Sequence, residues 1–410
     1  MAWVSVALSL CNTARGQWFR SKRGEQIVRI AIMLRTLDEH GGISVYTRNL
    51  VVALLDQPAN HHYLLLYRNA RHLGTFGQHA RVSEHVLPAR SKAVWDQFWV
   101  PWTCRRLKAD VLLNPKFTMP LLSGRPGVMV LHGADWYLPD AAKFYSRLDR
   151  LYIRLFMPLY LRKAAGIISV SKLTTEDFER VFGFPEGRIQ TVYFGPARNF
   201  ARVSDAARLQ AVRERYALPE RFILTLSKVG SSERKNLSGL LQAYARVHGK
   251  VPHKLVVGGK GCERFRDDYA IPDSGWGRDV LFPGWLDQAD LPAIYSSADL
   301  FLYPSNQEAF PIPITEAMTC GTPIVTSRTN GLLELAGDAA LLVNPDDADE
   351  IAAAMQRVLT DPSVASRLSE AGLQRSAMFS WNRCAASTLA VLEDAVAGRV
   401  RDTDVGRLPG

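Results

Sequence analysis

The residues with the clearest chemical potential are two glutamates, Glu308 and Glu316, in a stretch that reads EAFPIPITEAMTCG. Apolar runs of strand length, 299–303 and 323–326, flank this stretch, which is therefore predicted to be a loop that passes into a short helix. A carboxylate accepts hydrogen bonds from two hydroxyl groups, and the free N–H groups at a helix start attract an anion. These residues suit a ligand that is rich in hydroxyls and carries phosphate.

A basic pair, Arg234 and Lys235, lies in a second predicted strand-to-helix loop, between the apolar run 222–226 and the helical pattern 237–247. A guanidinium offers a planar fork to a phosphate and an ammonium offers a mobile point charge, so the pair suits a diphosphate. The alternative interpretation is a solvated basic turn without a ligand.

Five further residues fall at predicted strand ends or helix starts. Gly41 and Gly42 begin the first long helical pattern, where glycine lets the backbone approach a ligand, although such a pair is more often only a turn. Gly258 and Gly259 end a predicted strand, and His132 follows another. A lone histidine is usually a structural hydrogen-bonding residue, but this strand-end position favours a site residue. The glycines do not form G-x-G-x-x-G, so a dinucleotide site is not supported.

Strand-like and helix-like runs alternate along the chain, which predicts an α/β protein with parallel sheets. The predicted strands lie at 29–34, 63–67, 110–113, 128–131, 167–170, 188–193, 222–226, 255–259, 280–284, 299–303, 323–326 and 339–343. We interpret the chain as an N-terminal extension, two domains, and a C-terminal helix with a tail, at residues 1–28, 29–198, 199–382 and 383–410. The extension is read either as a misassigned start or as a surface anchor.

The composition is that of a soluble globular protein, with 47% hydrophobic and 22% charged residues among 410. No window approaches the ~18 consecutive apolar residues of a membrane span. Five cysteines form no C-x-x-C pair, which argues against a disulfide framework and predicts a reducing, cytoplasmic setting. Asp346, Asp347 and Asp349 precede a helical pattern and are interpreted as caps rather than metal ligands, so neither a metal nor another cofactor is expected.

Positive charge is concentrated in the first half of the chain. Residues 1–200 contain 27 Lys and Arg against 14 Asp and Glu, whereas residues 201–410 contain 23 against 26. This asymmetry predicts that the first half meets an anionic partner. The basic residues are dispersed and belong to no nucleic-acid-binding motif, so nucleic acid is the least favoured partner.

Two segments of the basic half, 95–108 and 143–163, mix aromatic and basic side chains. Such mixtures suit the interface of an anionic membrane, which predicts reversible, peripheral association at its cytoplasmic face. They are equally consistent with two ordinary helices that have aromatic core faces and solvated basic faces.

The two glutamates belong to a longer motif, E-x-F-x-x-P-x-x-E-A-M-x-C-G-T-P. The sequence matches it at Glu308, Phe310, Pro313, Glu316, Ala317, Met318, Cys320, Gly321, Thr322 and Pro323. The motif resembles that of the family-4 glycosyltransferases of GT-B fold, and the resemblance extends over nearly all of residues 29–396. Paired glutamates alone would be a weak signal, whereas the complete motif is specific.

This resemblance implies two Rossmann-like domains facing across a cleft. The implied reaction moves a glycosyl group from a nucleotide-diphosphate sugar to a hydroxyl of a glycan or lipid-linked acceptor, with retained anomeric configuration and without a metal. It further implies that Arg234 and Lys235 bind the diphosphate, Glu308 the donor sugar and Glu316 the ribose. The other implied site residues are Gly41, Gly42, His132, Gly258, Gly259, Ala309, Phe310, Pro311 and Ile312.

Two departures from the family pattern bear on this interpretation. Gly133 stands where relatives often carry Asp, with Asp135 two residues later, so the acid that would assist His132 is open. Pro311 stands where the family often has glycine and offers no N–H to a sugar hydroxyl, which leaves the sugar open; GDP-mannose is taken from the family's common donors. A retaining glycosidase, with carboxylates ~5–5.5 Å apart, and a non-catalytic sugar-binding module are the alternatives.

Overall fold

The computed structural model describes residues 27–399 except 40, 138–145 and 199. The predicted N-terminal extension therefore lies outside the described residues apart from Ile27 and Val28. The aromatic and basic segment 143–163 is described from residue 146 onward.

Two parallel sheets form the framework of the described chain. Its strands are β1 (Arg29–Met33), β2 (His62–Tyr67), β3 (Val82–Val86), β4 (Val111–Asn114), β5 (Gly127–Leu131), β6 (Gly166–Ser169), β7 (Ile189–Thr191), β8 (Phe222–Leu226), β9 (Lys254–Gly258), β10 (Val280–Leu281), β11 (Leu300–Tyr303), β12 (Ile324–Ser327) and β13 (Leu341–Val343). The strand orders are β3-β2-β1-β4-β5-β6-β7 and β10-β9-β8-β11-β12-β13. In each sheet the order reverses beside the first strand, between β1 and β4 and between β8 and β11. Open parallel sheets bind ligands at such switch points.

Helices connect the strands. They are α1 (Gly42–Leu55), α2 (Lys92–Val94), α3 (Val100–Arg106), α4 (Arg147–Lys163), α5 (Lys172–Phe182), α6 (Ala206–Arg215), α7 (Leu237–Val247), α8 (Phe265–Asp268), α9 (Leu291–Ser297), α10 (Ile312–Cys320), α11 (Asn330–Ala336), α12 (Ala348–Thr360), α13 (Pro362–Ser376) and α14 (Trp381–Val396). A π-helical turn, Trp95–Trp99, joins α2 to α3. Side chains that accept hydrogen bonds from first-turn N–H groups cap six of these helices, at Ser146, Ser171, Asp205, Asn236, Asp347 and Asp361. Asp347 is thus a cap, as its sequence position predicts.

Each sheet is buried on both faces. In β1, Ile30 and Ile32 pack into one core, while Ala31 and Met33 pack into the other. In β8, Phe222 and Ile223 divide in the same way between the two cores of the second sheet. Parallel strands covered by helices on both faces need such continuous apolar runs, which is why most strands were readable from the sequence. The predicted α/β class with two sheets is confirmed.

Strand β3 is the element that the sequence prediction omits. It lies at the edge of the first sheet, pairs only with β2, and reads VSEHV with no fully buried residue. A charged, half-exposed edge strand lacks the apolar run by which the others were recognised. The strand predicted at 188–193 is shorter in the structure, Ile189–Thr191.

The C-terminal helix α14 returns to the first domain. Trp381, Cys384, Leu389 and Leu392 are buried in the core that also contains β1 and α1. Trp381 stacks on Phe194 at a centroid distance of 5.0 Å. The last helix therefore fastens the second half of the chain to the first.

A carboxylate of the second domain caps a helix of the first. Glu334, in α11, accepts hydrogen bonds from the N–H groups of Lys172 (2.7 Å) and Leu173 (2.9 Å), at the start of α5. The Tyr193 hydroxyl also donates to Glu334 (2.6 Å), and this bond together with burial raises the Tyr193 pKa. A negative charge at a helix start interacts favourably with the helix dipole, so Glu334 fastens the two domains together.

We predict that Glu334→Ala loosens the contact between the domains. Three hydrogen bonds to one carboxylate are lost, and the closed arrangement should become less stable by about 1–2 kcal/mol because the site is partly exposed. The radius of gyration from small-angle X-ray scattering should rise. Glu370→Gln, an exposed carboxylate of α13, is the matched control and should leave it unchanged. An unchanged scattering curve for Glu334→Ala would contradict the assignment.

Candidate active site

The predicted site residues of the second domain lie on two loops at the switch point of its sheet. One loop, 227–236, follows β8, and the other, 304–311, follows the neighbouring strand β11. Because both loops leave the same edge of the sheet, they bring the basic pair and Glu308 together. This is the arrangement that the sequence predicts.

Glu308 is 8% exposed and is surrounded by hydrogen-bond donors. Its Oε1 accepts from the Tyr303 hydroxyl (2.8 Å) and lies 3.3 Å from the Ser305 hydroxyl, which donates to the Arg234 carbonyl at the shorter distance of 3.0 Å. Its Oε2 lies 2.8 Å from Nη1 of Arg234. The carboxylate is therefore held in one orientation by groups from its own loop and by a cation from the other loop.

Backbone contacts fasten these two loops to each other. The carbonyl of Arg234 accepts hydrogen bonds from the Asn306 N–H (2.9 Å) and the Ser305 hydroxyl (3.0 Å). In return, Nη1 of Arg234 donates to the carbonyl of Gln307 (2.7 Å). Arg234 is thus placed by its backbone and its side chain together.

Lys235 points back toward the sheet. Its Nζ donates to the carbonyl of Leu226 (3.1 Å), the last residue of β8, and lies 5.0 Å from the centre of the Tyr303 ring. Burial lowers the pKa of Lys235 to about 8, although the negative charge of Glu308 opposes this shift. Lys235 is therefore positively charged at neutral pH, although this pH lies not far below its pKa. A bound anion would stabilise the charged form of the side chain.

Glu316 is 4% exposed and lies in α10. Its Oε2 accepts from the Tyr295 hydroxyl (3.0 Å). Burial raises the pKa of Glu316 to about 7, and this hydrogen bond opposes the shift. The two glutamates thus differ in setting: Glu308 is paired with a guanidinium, whereas Glu316 accepts from a neutral hydroxyl.

The start of α10 offers backbone donors. The N–H groups of Ala309, Phe310 and Ile312 have no protein acceptor in the described part of the chain. Pro311 is the N-cap residue and Pro313 follows it inside the helix, so neither contributes an N–H. A ligand anion or hydroxyl can therefore be bound only by the remaining three donors of this turn.

The ring of Phe310 lies between the domains rather than in the open cleft. It packs against Phe194 (4.2 Å between centroids), Phe379 (5.7 Å) and Tyr193 (6.2 Å). Any contribution of Phe310 to ligand binding therefore comes from its backbone. The aromatic ring instead fixes the position of the loop relative to the first domain.

His132 follows β5 and faces the site from the first domain. Its Nε2 lies 2.9 Å from the carbonyl of Pro115, and its ring packs edge-on against Tyr46. Burial lowers the pKa of His132 to about 4, so the imidazole is neutral at pH 7. Because a carbonyl only accepts, Nε2 carries the hydrogen and Nδ1 is left as an acceptor. A neutral His132 can thus accept a hydrogen bond from a sugar hydroxyl.

Asp135 contacts the second domain. Its Oδ1 accepts a hydrogen bond from the side chain of Gln307 (3.2 Å), the residue before Glu308. The acid that follows His132 in this sequence therefore bridges the domains at the site, and its position is fixed by the loop that carries Glu308.

Glycines let the two domains approach closely. Gly41, the N-cap residue of α1, has φ of +144°, and a side chain there would begin 3.8 Å from Nζ of Lys228. Gly133 has φ of +145°, and a Cβ at this position would lie 3.3 Å from that of Ala309. A Cβ on Gly42, by contrast, would have no neighbouring atom within 4 Å. The Gly41–Gly42 turn therefore faces the loop after β8 across the cleft.

Gly258 and Gly259 have a packing role that sequence reasoning did not assign. A Cβ on Gly259 would overlap the carbonyl of Ser227, and one on Gly258 would overlap the side chain of Leu286. Gly259 also has φ of +141°, which disfavours other residues. These glycines allow the end of β9 to pack closely against the loop after β8, and they thereby help to position that loop.

Two site residues were missed by the sequence analysis. Lys228 is an exposed cation on the same loop as the basic pair and lies opposite Gly41. Gln307, on the loop after β11, donates a hydrogen bond to Asp135 of the first domain. The sequence feature that could have identified Lys228 is its position two residues after β8. Gln307 is identified only by its contact with Asp135, which joins residues 172 positions apart. Among the described residues, no three His, Cys, Asp or Glu side chains are grouped so as to hold a metal ion.

Comparisons with known proteins agree with this geometry. Residues 40–195 match the family model described as Glycosyltransferase Family 4, and residues 210–375 match Glycosyl transferases group 1. The O-antigen chain mannosyltransferase B of Escherichia coli is 30% identical over 299 residues, which cover 70% of this chain and 75% of that protein. The chain belongs to the family-4 glycosyltransferases. The enzyme is also 36% identical over 167 residues to the MMP alpha-(1->4)-mannosyltransferase of Mycolicibacterium hassiacum, covering 40% of this chain and 41% of that protein.

Solved structures show the same architecture. Sucrose-phosphate synthase from Thermosynechococcus elongatus superposes with a TM-score of 0.71 at 23% identity, over 90% of this chain and 99% of that one. The Anabaena protein HepE, in complex with UDP and glucose, gives a TM-score of 0.71 at 18% identity over 90% and 100% of the two chains. The predicted GT-B fold is thereby confirmed.

We predict that affinity for a nucleoside diphosphate falls as the pH rises above about 8. Lys235 must be charged to bind the anion, and its free-state pKa is about 8, so binding above this pH requires proton uptake. The dissociation constant should rise toward about ten-fold per pH unit, measured by calorimetry at constant ionic strength.

The matched variant for this experiment is Lys235→Arg, which keeps the positive charge but does not titrate in this range. Its affinity should change little with pH. A wild-type profile that stays flat between pH 7.5 and 9.5 would contradict the proposed role of Lys235.

Proposed function

We propose that this glycosyltransferase moves a mannosyl group from a nucleotide-diphosphate mannose to a hydroxyl of a glycan or lipid-linked acceptor, with retained anomeric configuration and without a metal ion. The proposal rests on the observation that Arg234, Lys235 and Glu308 lie together at the switch point of the second sheet. Mannose is supported by the names of the relatives, which include an O-antigen chain mannosyltransferase and an MMP alpha-(1->4)-mannosyltransferase. Membership of the family leaves no support for the glycosidase and non-catalytic alternatives.

The chemistry follows from where charge develops. In the transition state the leaving diphosphate gains negative charge and the sugar ring gains positive charge. The negative charge on the diphosphate meets preorganised donors, namely Arg234, Lys235 and the free N–H groups at the start of α10. These donors stabilise departure of the diphosphate. Glu308, held on three sides, is placed for the sugar hydroxyls and the developing positive charge.

Arrival of the donor would change the Arg234–Glu308 contact. The guanidinium of Arg234 and the carboxylate of Glu308 neutralise each other at 2.8 Å. A diphosphate offers Arg234 a stronger, doubly charged partner, while sugar hydroxyls offer Glu308 replacement hydrogen bonds. Donor binding therefore exchanges one internal ion pair for two ligand contacts, which limits the net cost of desolvation.

Thermal shift with a panel of nucleotide-diphosphate sugars tests this function. GDP-mannose should raise the melting temperature more than UDP-glucose, because binding stabilises the folded state by RT ln(1 + [L]/Kd). Excess EDTA should leave both the shift and turnover unchanged. The Arg234→Ala/Lys235→Ala variant should lose most of the shift, since charge-assisted bonds of about 1.5–3 kcal/mol each are removed.

Each outcome of the panel is informative. A larger shift with UDP-glucose would overturn the mannosyl assignment but leave the donor class intact. No shift with any diphosphate sugar, in a folded wild-type protein, would overturn the proposal. Turnover that EDTA abolishes and Mn²⁺ restores would show that a metal takes part.

We predict different kinetic effects for the two glutamates. Glu308→Gln should lower kcat by about a hundred-fold, because its charge acts on the sugar in the transition state. Glu316→Gln should mainly raise the donor KM, by about ten-fold, because its proposed partner is the ribose. Glu214→Gln, an exposed carboxylate on α6, is the control. Full kcat and KM in both site variants would contradict the assignment.

The proposal also includes peripheral binding of the first domain to an anionic membrane. Helix α4 exposes four leucines along one side, Leu148, Leu151, Leu155 and Leu159, at 42–79% of their full accessibility. Basic residues lie among and beyond them: Arg147, Arg150, Arg154, Arg162 and Lys163. Phe98, in the π-helical turn, and Trp102, in α3, are also exposed, at 61% and 45%. Ordinary helices with solvated basic faces do not account for these exposed leucines, and an apolar strip bordered by cations suits a lipid surface better than bulk water. Within the described ranges, no helix combines the length and hydropathy needed to cross a bilayer.

Liposome flotation tests the membrane component. Binding to vesicles of phosphatidylglycerol and phosphatidylcholine should exceed binding to phosphatidylcholine alone and should fade with salt. Replacing Arg147, Arg150 and Arg154 by Gln should weaken it, at about 1 kcal/mol per charge. Replacing the exposed Arg221, Lys250 and Arg278 of the second domain by Gln is the control for net charge. Equal binding to neutral vesicles, or none to either, would contradict this component.

A further inference from the structure

A charged network occupies the switch point of the first sheet, opposite the donor loops. Arg35 follows β1 and forms two bonds to Asp96, Nε to Oδ1 at 3.0 Å and Nη2 to Oδ2 at 2.9 Å. Nη1 of Arg35 lies 3.3 Å from Glu39. Lys116 follows β4, and its Nζ lies 3.0 and 2.8 Å from the two oxygens of Glu39. The four side chains form one chain of alternating charge, and none of them has a role in donor binding.

Accessibility differs along this network. The side chains of Arg35 and Asp96 are each 8% exposed and that of Lys116 is 16% exposed, whereas that of Glu39 is 25% exposed. Buried ion pairs often contribute little to folding stability because desolvation offsets their attraction. Lys92 joins the network at its solvent edge: its side chain is 64% exposed and its Nζ lies 3.9 Å from Oε1 of Glu39. A buried network that meets solvent through Glu39 and Lys92 is therefore better explained by a ligand than by stability.

The backbone around Asp96 supports a specialised role. Asp96 lies in the π-helical turn Trp95–Trp99, a rare conformation that occurs frequently at functional sites. The same turn exposes Phe98 to solvent. The segment thus connects the inner network to the aromatic surface assigned above to the membrane.

Glu39 also lies near the donor loops. It precedes Gly41 by two positions, and Gly41 faces Lys228 of the second domain. On its other side, the positive charge of Lys116 contributes to the low pKa of His132. Because Gly41 faces the second domain, Glu39 lies at the cleft edge of the first domain.

We propose that Glu39 binds hydroxyl groups of the acceptor's terminal sugar, with Lys116 and Arg35 holding its carboxylate in place. This inference rests on the proposed glycosyl transfer and assigns the acceptor side of the same site. An ionised carboxylate accepts two or more hydroxyl hydrogen bonds, and two cations that fix its oxygens pre-orient it for vicinal hydroxyls.

Ligand binding and kinetics of Glu39→Gln test the inference. Protein saturated with GDP is titrated with methyl α-mannoside and methyl β-glucoside by ligand-observed NMR, and the same glycosides serve as acceptors with GDP-mannose. Glu39→Gln should weaken glycoside binding and raise the acceptor KM by about ten-fold or more, as charge-assisted bonds become neutral ones. GDP affinity and the slow hydrolysis of the donor by water should stay at wild-type values.

Two variants separate ligand binding from structure. Asp38→Asn removes a carboxylate from the same 3₁₀ turn, but its partners are Arg71 and His72, so the acceptor KM should not change. Lys116→Met should raise the acceptor KM and Lys116→Arg should restore it in part.

Three results would overturn the inference: an unchanged acceptor KM in Glu39→Gln, an equal loss of GDP affinity, or no glycoside binding by a wild type that binds GDP. Failure of the wild type to bind GDP at all would instead overturn the proposed function.

Discussion

The contact between Arg234 and Glu308 joins the two loops on which the donor site depends. The loop after β8 carries the cations and the loop after β11 carries the carboxylate, and neither loop has regular structure of its own. Their mutual hydrogen bonds, through the Arg234 carbonyl and guanidinium, replace that structure. The ion pair also neutralises two groups that would otherwise be costly to bury. It keeps both side chains in position.

The same loop is coupled to the arrangement of the domains. The backbone of Gly331, in α11, donates to the Glu308 carbonyl at 3.0 Å, and a side chain at Gly331 would overlap Ala309. Three residues later, Glu334 caps a helix of the first domain. One short helix therefore contacts the backbone of Glu308 at one end and the opposite domain at the other. This helix therefore connects the loop that carries Glu308 to the contact between the domains.

Much of this was readable from the sequence because it is local. Apolar runs of strand length, alternating with helical patterns, predicted the two sheets, and the predicted helix 237–247 agrees with the structure. The structure brings the basic pair and Glu308 together because each follows a predicted strand and the two strands are neighbours in the sheet. The charged edge strand β3 and the π-turn had no local signature. Contacts such as Asp135–Gln307 and Glu334–Lys172, across more than 160 positions, depend on how the domains meet, which no local pattern records.

A crystal structure of the protein with GDP-mannose tests the central claim most directly. The account predicts that the diphosphate lies against Arg234, Lys235 and the start of α10, and that the sugar hydroxyls contact Glu308. The separation of Arg234 Nη1 and Glu308 Oε2 should then exceed 2.8 Å. A complex in which this ion pair is intact and the diphosphate lies elsewhere would contradict the account.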